Sequence, residues 1–223
     1  MGVWHWLGRV PFARAAALQE KLRSEIRDDR APETLLLLEH DAVVTLGRSA
    51  RPENVLQSES ALAARGISLH RASRGGDVTF HGPGQLVGYP IVRLRHGVRA
   101  HVEAMAFALR AVLAELGVMA RYKREAPGLW VDAPAGEAKI CAFGVNVHHR
   151  ITMHGFALNL DPNLDAFGLI VPCGLPGCRA TSVRALRGSS PTPGELSARV
   201  ADALGAHLGI AFGARGALPH CIT

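Results

Sequence analysis

The sequence predicts an α+β fold in which helices flank a mixed β-sheet. In the middle of the 223-residue chain, the candidate strands follow one another too closely for helical crossovers, which disfavours a doubly wound parallel sheet. Amphipathic helical patterns precede, interrupt and follow these strands, where they can cover the faces of the sheet. The length is about one and a half times the ~150 residues of a common domain, which predicts a single domain spanning residues 1–223.

The N-terminal part of the chain begins with a helical pattern and continues as short strands. Apolar residues recur at the spacing of one helix face at Ala15, Leu18, Leu22 and Ile26. Pro32 follows at a point where the helix has ended. Strands are predicted at residues 34–39, 42–46, 67–72 and 86–92. We therefore expect the first helix to cover a sheet made from these strands.

Two further helices have recognisable ends. The second helix presents one apolar stripe, formed by Val102, Met105, Leu109, Val112, Leu113 and Leu116. Gly117 follows this stripe at the position where helices commonly end. The third helix is predicted to begin at Thr192, because Thr192 and Glu195 have the spacing of a capping box and Pro193 suits the first helical position.

A β-hairpin is predicted in the second half of the chain. Residues 138–147 alternate as a strand does, and this spacing places on one face Lys139, Cys141, Phe143, Val145 and Val147. The segment His148–Arg150 supplies a turn, and residues 151–160 are the expected antiparallel partner. One lysine therefore lies inside an otherwise apolar strand.

Charge and composition limit the function classes. Lysine and arginine outnumber aspartate and glutamate by 25 to 19, and the net charge of +6 favours acidic partners. Nucleic acid is disfavoured because the basic residues are scattered and only 5% of residues are aromatic, too few for a stacking platform. No apolar stretch approaches the ~20 residues that span a membrane, and the N-terminus lacks a signal-peptide pattern. We expect a cytoplasmic protein whose four cysteines are reduced.

A glycine-rich segment, Arg74–Gln85, is the first candidate functional feature. It reads RGGDVTFHGPGQ, and its four glycines allow a ligand to approach the backbone amides closely. The segment matches neither a P-loop nor a GxGxxG motif, so nucleotide binding is not indicated. A plain turn is the alternative, and we favour a ligand-binding loop.

A cysteine and a lysine are the second candidate feature. Cys173 lies between Pro172 and Gly174 in a predicted loop, a setting that makes a nucleophile and a buried small residue comparable interpretations. Lys139 is a candidate partner because a lysine in an apolar strand must pair, snorkel or lose its proton cheaply. The alternative for Lys139 is a surface charge at a strand edge.

In this order the motifs resemble the lipoyl(octanoyl) transferase family over nearly the whole chain. The matching segments are RGGDVTFHGPGQLVGYP from Arg74, GLWV from Gly128, KI at Lys139, FGV at Phe143, HGFALN from His154, PCG at Pro172 and TS at Thr181. The resemblance implies a biotin/lipoate protein ligase-like fold and one catalytic domain. It implies an acyltransferase that moves octanoate from octanoyl-acyl carrier protein to the lysine of lipoyl domains, the first step of endogenous protein lipoylation. The implied acceptors are lipoyl domains of 2-oxoacid dehydrogenases and the glycine cleavage H protein, with neither nucleic acid nor a membrane as partner.

The resemblance also assigns roles to residues. Cys173 is implied as the nucleophile that forms a thioester acyl-enzyme, with Lys139 as its partner in a Cys/Lys dyad. The implied substrate-binding residues are Arg74, Gly75, Gly76, Asp77, Val78, Thr79, Phe80, His81, Ala142, Phe143, Gly144, Gly155, Phe156 and Ala157. A free thiol with a pKa near ~8.5 is mostly protonated at neutral pH, so a neighbouring ammonium would favour the reactive thiolate. Thioester exchange needs no ATP and no metal, so we expect neither a cofactor nor a metal site.

Several alternatives stay open on the sequence. Cys141 stands where the family more usually has a small residue, and on a regular strand it would lie about 7 Å from Lys139 on the same face, which makes it a rival nucleophile. An ATP-dependent lipoate ligase of the same fold is the alternative enzyme. A non-catalytic binder of an acidic partner would explain the charge but not the cysteine and the lysine. Cys178 and Cys221 are interpreted as structural or incidental. His81 is interpreted as an orienting or proton-transferring residue, and a plain hydrogen bond to the backbone is an equally good alternative.

Overall fold

The computed structural model describes residues 1–133, 136–175 and 177–214, apart from the side chain of Cys173. Its five α-helices are α1 (Phe12–Arg27), α2 (Glu59–Ala63), α3 (Val98–Glu115), α4 (Val183–Arg187) and α5 (Pro193–Leu208). Three short 3₁₀ turns lie at Pro52–Asn54, Leu164–Leu169 and Pro172–Gly174. Within the described ranges, no helix combines the length and the apolar composition that crossing a bilayer requires.

Twelve strands are described. They are β1 (Gly2–Arg9), β2 (Thr34–Glu39), β3 (Val43–Leu46), β4 (Ser68–Arg71), β5 (Val78–His81), β6 (Gln85–Ile91), β7 (Arg121–Lys123), β8 (Gly128–Ala133), β9 (Gly136–His148), β10 (Ile151–Asn159), β11 (Arg179–Ala180) and β12 (Phe212–Ala214). Nine of them form a large sheet in the order β12-β1-β2-β6-β10-β9-β8-β7, with β11 paired to β9. The other three form a small sheet in the order β4-β3-β5.

Both sheets are mixed, whereas the sequence predicted a single mixed sheet. In the large sheet, β1 pairs in parallel with β2 and β12, and β9 pairs in parallel with β11, while the other pairs are antiparallel. In the small sheet, β3 is parallel to β4 and antiparallel to β5. The α+β prediction with helices flanking a mixed sheet is confirmed.

Helices cover both faces of the large sheet, and strand β2 is accordingly apolar on both of its faces. Leu35 and Leu37 point into a core shared with α3 and α5, whereas Leu36 and Leu38 point into a second core under α1. All four leucines are fully buried, since successive side chains of a strand face opposite sides. A third core joins the small sheet to α2 and the turn Leu164–Leu169.

Local signals placed most elements correctly. Helices α1 and α3, strands β2, β3, β4 and β6 and the hairpin β9–β10 lie where they were predicted, with ends shifted by a few residues. The hairpin turns through His149 and Arg150, both at positive φ, as a two-residue turn with right-handed strand twist requires. At the start of α5, Thr192 and Glu195 form the capping box with both of its hydrogen bonds. Two short helices, α2 and α4, and the strands β1, β7, β8, β11 and β12 were not predicted.

The segment Arg74–Gln85 is not a loop throughout, which differs from the prediction. It was interpreted as a loop, but Val78–His81 is strand β5, which pairs antiparallel with β3. The four residues of this strand alternate between two faces, as strand residues do. Val78 and Phe80 pack in the third core, and Thr79 and His81 lie on the opposite face. Only the two ends of the segment are therefore loop.

A second correction concerns the face that Lys139 occupies. Leu129 lies opposite Cys141, but Trp130 lies opposite Lys139, so Ile140 is an extra residue in β9 and the register shifts. Such a bulge breaks the two-residue alternation of a strand. Cys141 consequently points with Leu129 into the core beneath α3, while Lys139 points with Trp130 to the other face.

Candidate active site

A cavity of about 550 Å³ collects most of the residues that the sequence singled out. Its apolar lining includes Val98, Val102, Phe143, Val145, Phe156 and Leu175. Its polar lining includes Arg74, Asp77, Thr79, His81, Lys139 and His154. The volume lies in the range of small-molecule sites, ~300–1,000 Å³, and an apolar wall with a few polar groups is what such sites present.

Thirteen of the fourteen substrate-binding residues implied by the resemblance line this cavity. The exception is Phe80, whose ring packs 5.5 Å from that of Phe167 in the core of the small sheet. Phe80 therefore supports strand β5 from behind. The contribution of the other residues to binding stays a prediction.

Arg74 holds the glycine-rich loop together from inside. It is buried, and its guanidinium donates to the carbonyl oxygens of Gly75, Asp77 and Thr45 at 2.7–3.1 Å, and to the Thr45 hydroxyl at 2.8 Å. A guanidinium carries several donors in a fixed plane, so one side chain can fix several carbonyl groups. The loop is therefore preformed at the cavity wall.

Lys139 is buried, which excludes the interpretation as a surface charge at a strand edge. Its side chain is 6% exposed and its Nζ lies 4.7 Å from the ring centroid of Trp130, at cation–π distance. Gly128 lies beside it, and a Cβ there would come within 2.8 Å of the lysine Cε. The absence of a side chain at Gly128 thus makes room for Lys139 at the cavity.

The described cysteines differ in their surroundings. Cys141 is fully buried in the core, and burial strongly raises the pKa of its thiol, which keeps it protonated. Cys178 is half-buried and lines a small adjoining cavity of about 20 Å³ together with Lys139 and Pro172. Cys141 is therefore a core residue. Cys178, interpreted from the sequence as structural or incidental, lines the same small cavity as Lys139.

Cys173 lies in the 3₁₀ turn Pro172–Gly174, and this turn contributes Pro172 to the small cavity that Lys139 also lines. The backbone of the turn is thus close to the predicted partner lysine. The Cys173 side chain and all of Cys221 lie outside the described residues. The Cys/Lys dyad stays a prediction.

His81 is held by a chain of buried amides. Its Nδ1 donates to Gln85 Oε1 at 2.7 Å, Gln85 Nε2 donates to Asn159 Oδ1 at 2.8 Å, and Asn159 Nδ2 donates to the Thr181 carbonyl at 2.9 Å. Burial, together with the nearby His40, holds the pKa of His81 well below its usual value. A neutral imidazole with a fixed tautomer orients its surroundings, which favours the orienting role over proton transfer.

Two further polar residues near the cavity were missed by sequence reasoning. His40 Nδ1 donates to the Val10 carbonyl at 2.6 Å, so its Nε2 accepts from the Tyr89 hydroxyl at 2.7 Å. Burial lowers the pKa of His40 to about 4. Tyr89 lines the cavity, and the apolar alternation of strand β6 contained no signal for its hydroxyl contact.

His154 was quoted in the family-like segments but not chosen as a site residue. It has φ +58° in the middle of strand β10, which for a non-glycine residue costs about 1–3 kcal/mol. Gln19 compensates by accepting from the His154 backbone N–H at 2.8 Å, and the ring Nε2 lies 3.0 Å from the Ser73 hydroxyl. Burial lowers the pKa of His154 to about 4. The strained residue therefore ties β10 to the start of the glycine-rich loop.

No group of three histidine, cysteine, aspartate or glutamate side chains is arranged to hold a metal ion in the ranges that the structure covers. The charged groups among the described residues that line the cavity are instead one lysine, three arginines and two carboxylates, accompanied by the imidazoles of His81 and His154. These groups suit the stabilisation and transfer of protons at an organic substrate.

Comparison with known proteins agrees with this geometry. The octanoyltransferase of Chloroflexus aurantiacus is 42% identical over 205 residues, covering 90% of this chain and 91% of that protein. The octanoyltransferase of Geobacter metallireducens is 43% identical over 198 residues, covering 87% of this chain and 88% of that protein.

Solved structures share the fold. A lipoate-protein ligase A bound with ATP superposes with a TM-score of 0.73 at 19% identity, covering 98% of this chain and 90% of the other. The biotin protein ligase of Aquifex aeolicus superposes with a TM-score of 0.54 at 12% identity, covering 94% and 70%. The family model of the lipoyl protein ligase A/B catalytic domain matches residues 11–205. The chain belongs to the lipoyl protein ligase A/B catalytic domain family.

Proposed function

We propose that this protein is an octanoyltransferase that moves an octanoyl group from octanoyl-acyl carrier protein to a lysine of lipoyl domains through a thioester on Cys173. The observation that carries the proposal is the buried Lys139, which lines both the large cavity and the small one formed in part by Pro172. The relatives named octanoyltransferase, at more than 40% identity over most of the chain, support the same activity.

In the first half-reaction, the Cys173 thiolate attacks the carbonyl carbon of the donor thioester. A new carbon–sulfur bond forms, the bond to the carrier's sulfur breaks, and the carrier leaves as a thiol after taking up a proton from Lys139, which becomes a neutral amine. Lys139 acts here as an ammonium that stabilises the thiolate and the developing oxyanion. The apolar lining from α3 and β9 receives the alkyl chain of the acyl group.

In the second half-reaction, the amine of the acceptor lysine attacks the same carbonyl carbon. An amide bond forms, the bond to Cys173 breaks, and the cysteine takes up a proton. The attacking amine must lose protons, and Lys139 is the basic side chain of the described cavity lining that we assign to accept one. Formation of an amide from a thioester is downhill, so the proposal includes no nucleotide, other cofactor or metal.

The donor and acceptors remain those that the resemblance implies. The donor is the octanoyl-acyl carrier protein, and the acceptors are lipoyl domains of 2-oxoacid dehydrogenases and the glycine cleavage H protein, all met in the cytoplasm. The net charge of +6 suits acidic partners. An ATP-dependent ligase is the alternative, and it differs in one observable: it would require ATP and accept the free acid.

The test is the intact mass of the protein after incubation with octanoyl-acyl carrier protein in the absence of ATP. We expect one octanoyl adduct that hydroxylamine removes. The adduct should be absent from Cys173→Ala and present in both Cys141→Ala and Cys178→Ala, which are matched controls because all three variants lose one thiol. An adduct that maps to Cys178 or Cys141, or transfer that requires ATP, would overturn the proposal.

A further inference from the structure

Asp77 is the meeting point of three chain segments beside the cavity. Its Oδ1 accepts from the backbone N–H of Val78 at 2.7 Å and of Arg51 at 3.2 Å. Its Oδ2 accepts from the side-chain amide of Asn54 at 2.7 Å. Both carboxylate oxygens are thus engaged by protein donors, although Asp77 also lines the cavity.

Asn54 connects this point to the segment that leads to Cys173. Its backbone carbonyl accepts from the N–H of Val171 at 2.8 Å, two residues before Cys173. The next residue, Val55, forms an isolated antiparallel bridge with Ile170. The turn Pro52–Asn54 is therefore directly hydrogen-bonded to the segment that precedes Cys173.

The residue after Cys173 packs on the same pair. Gly174 has φ +65°, and a Cβ at this position would lie 2.4 Å from Asp77 Oδ2 and 3.2 Å from Asn54 Nδ2. Only a residue without a side chain permits this approach of backbone to carboxylate. The turn that carries Cys173 is thus held on one side by the Asn54 carbonyl and on the other by the Asp77–Asn54 pair.

We propose that Asp77 and Asn54 are positioning residues that fix the turn Pro172–Gly174 at the cavity by their mutual hydrogen bond. The inference rests on the proposed function of Cys173. A carboxylate disfavours thiolate formation nearby, so electrostatic activation of a cysteine is not a role that Asp77 can have. Its hydrogen-bond geometry explains its place instead, because a nucleophile displaced by about 1 Å can lose ~10²-fold in rate.

The hydrogen bond can be broken and rebuilt by exchanging its two partners. Asn54→Asp places two carboxylates face to face, and the additional change Asp77→Asn restores a donor opposite a carboxylate. Asp77→Asn alone does not test the hydrogen bond, since the Asn54 amide can rotate and offer its oxygen to the new amide. Asn54→Leu breaks the bond without altering charge, which separates geometry from electrostatics.

The rate of octanoyl-adduct formation on Cys173 is measured at saturating and subsaturating octanoyl-acyl carrier protein, alongside the melting temperature. We expect Asn54→Asp and Asn54→Leu to lower the saturated rate about tenfold, with the half-saturating donor concentration changed less than about twofold. The double variant should return to within about twofold of the wild type. Asp202→Asn, at an exposed position of α5, is the matched control and should change neither quantity.

Wild-type rates in Asn54→Leu, or failure of the double variant to recover, would overturn the positioning role. A wild-type protein that forms no adduct on Cys173 would overturn the proposed function instead. In that case the rate of Cys173 alkylation at high pH, where the thiol is ionised in every variant, still tests the positioning: equal plateau rates contradict it and a lower plateau in Asn54→Leu supports it.

Discussion

Replacing Lys139 by methionine should remove most of the activity and leave the fold nearly as stable. Methionine is unbranched like lysine, so it fills the space beside Gly128 while removing the ammonium that lies 4.7 Å from the Trp130 ring. The contact with the ring contributes about 0.5–2 kcal/mol. Burying an ammonium costs several kcal/mol, which the variant no longer has to offset.

Since the removed burial cost is at least as large as the lost contact, we expect the variant to be neutral or slightly more stable. A gain of about 1 kcal/mol would raise the melting temperature of a chain of this length by about 2–4 °C. The loss of a positioned proton acceptor costs about 10²–10⁴-fold in rate. Calorimetry and single-turnover transfer to a lipoyl domain therefore give different answers if Lys139 acts on the chemistry.

Arginine at the same position resolves the two roles of the lysine. Lys139→Arg keeps a positive charge that favours the thiolate, but arginine does not deprotonate and cannot accept a proton. We expect measurable but slowed acylation of Cys173 and a much larger loss of amide transfer. Lys139→Ala should lose both, together with the enhanced alkylation rate of Cys173 at neutral pH.

Lys123→Met is the matched control. Lys123 also stacks on Trp130, at 5.1 Å, and pairs with Glu137, but it does not line the cavity. Its loss should change the melting temperature by a similar amount and leave both half-reactions unchanged. Wild-type transfer rates in Lys139→Arg and Lys139→Ala would make Lys139 a structural lysine and refute the dyad.

Three further predictions address association, pH and folding. The second-order rate constant for reaction with octanoyl-acyl carrier protein should fall as salt is added, because charges are screened beyond ~8 Å at physiological ionic strength. The rate with a small neutral acyl thioester should not depend on salt. Equal salt responses of both donors would contradict electrostatic steering of the carrier protein. The free energy of unfolding should decline as the pH falls from about 6.5 towards 4. Burial holds the pKa values of His40 and His154 at about 4 in the folded protein, so the unfolded chain binds protons first. Urea titrations of His154→Asn should show a shallower decline with pH, and an unchanged slope would contradict this origin. Thr192→Ala should cost about 1 kcal/mol by removing the cap of α5, with Thr192→Ser close to neutral; equal melting temperatures of the two variants would show that the cap contributes little.

Elements that depend on neighbouring residues were predictable from the sequence. Three such features depend only on residues that are close together in the sequence: the capping box of α5, the apolar stripe of α3 and the two-residue turn of the β9–β10 hairpin. The mixed sheet followed from the short spacing of strands. The glycine-rich segment and Lys139 also stood out locally, because four glycines around polar residues, and a lysine in an apolar strand, are unusual patterns.

By itself, the sequence determined the fold class, the three longest helices and half of the strands, and its family resemblance named fourteen of the residues that line the cavity, Lys139 among them. Only the tertiary structure decided that Ile140 is a bulge, so that Lys139 faces the cavity while Cys141 is buried in the core. It also decided that Asp77 pairs with Asn54. The alternation of side chains along a strand predicts their faces only if the strand has no bulge, and bulges depend on pairing with a partner strand. Hydrogen bonds between distant segments likewise produce no periodic pattern in the sequence.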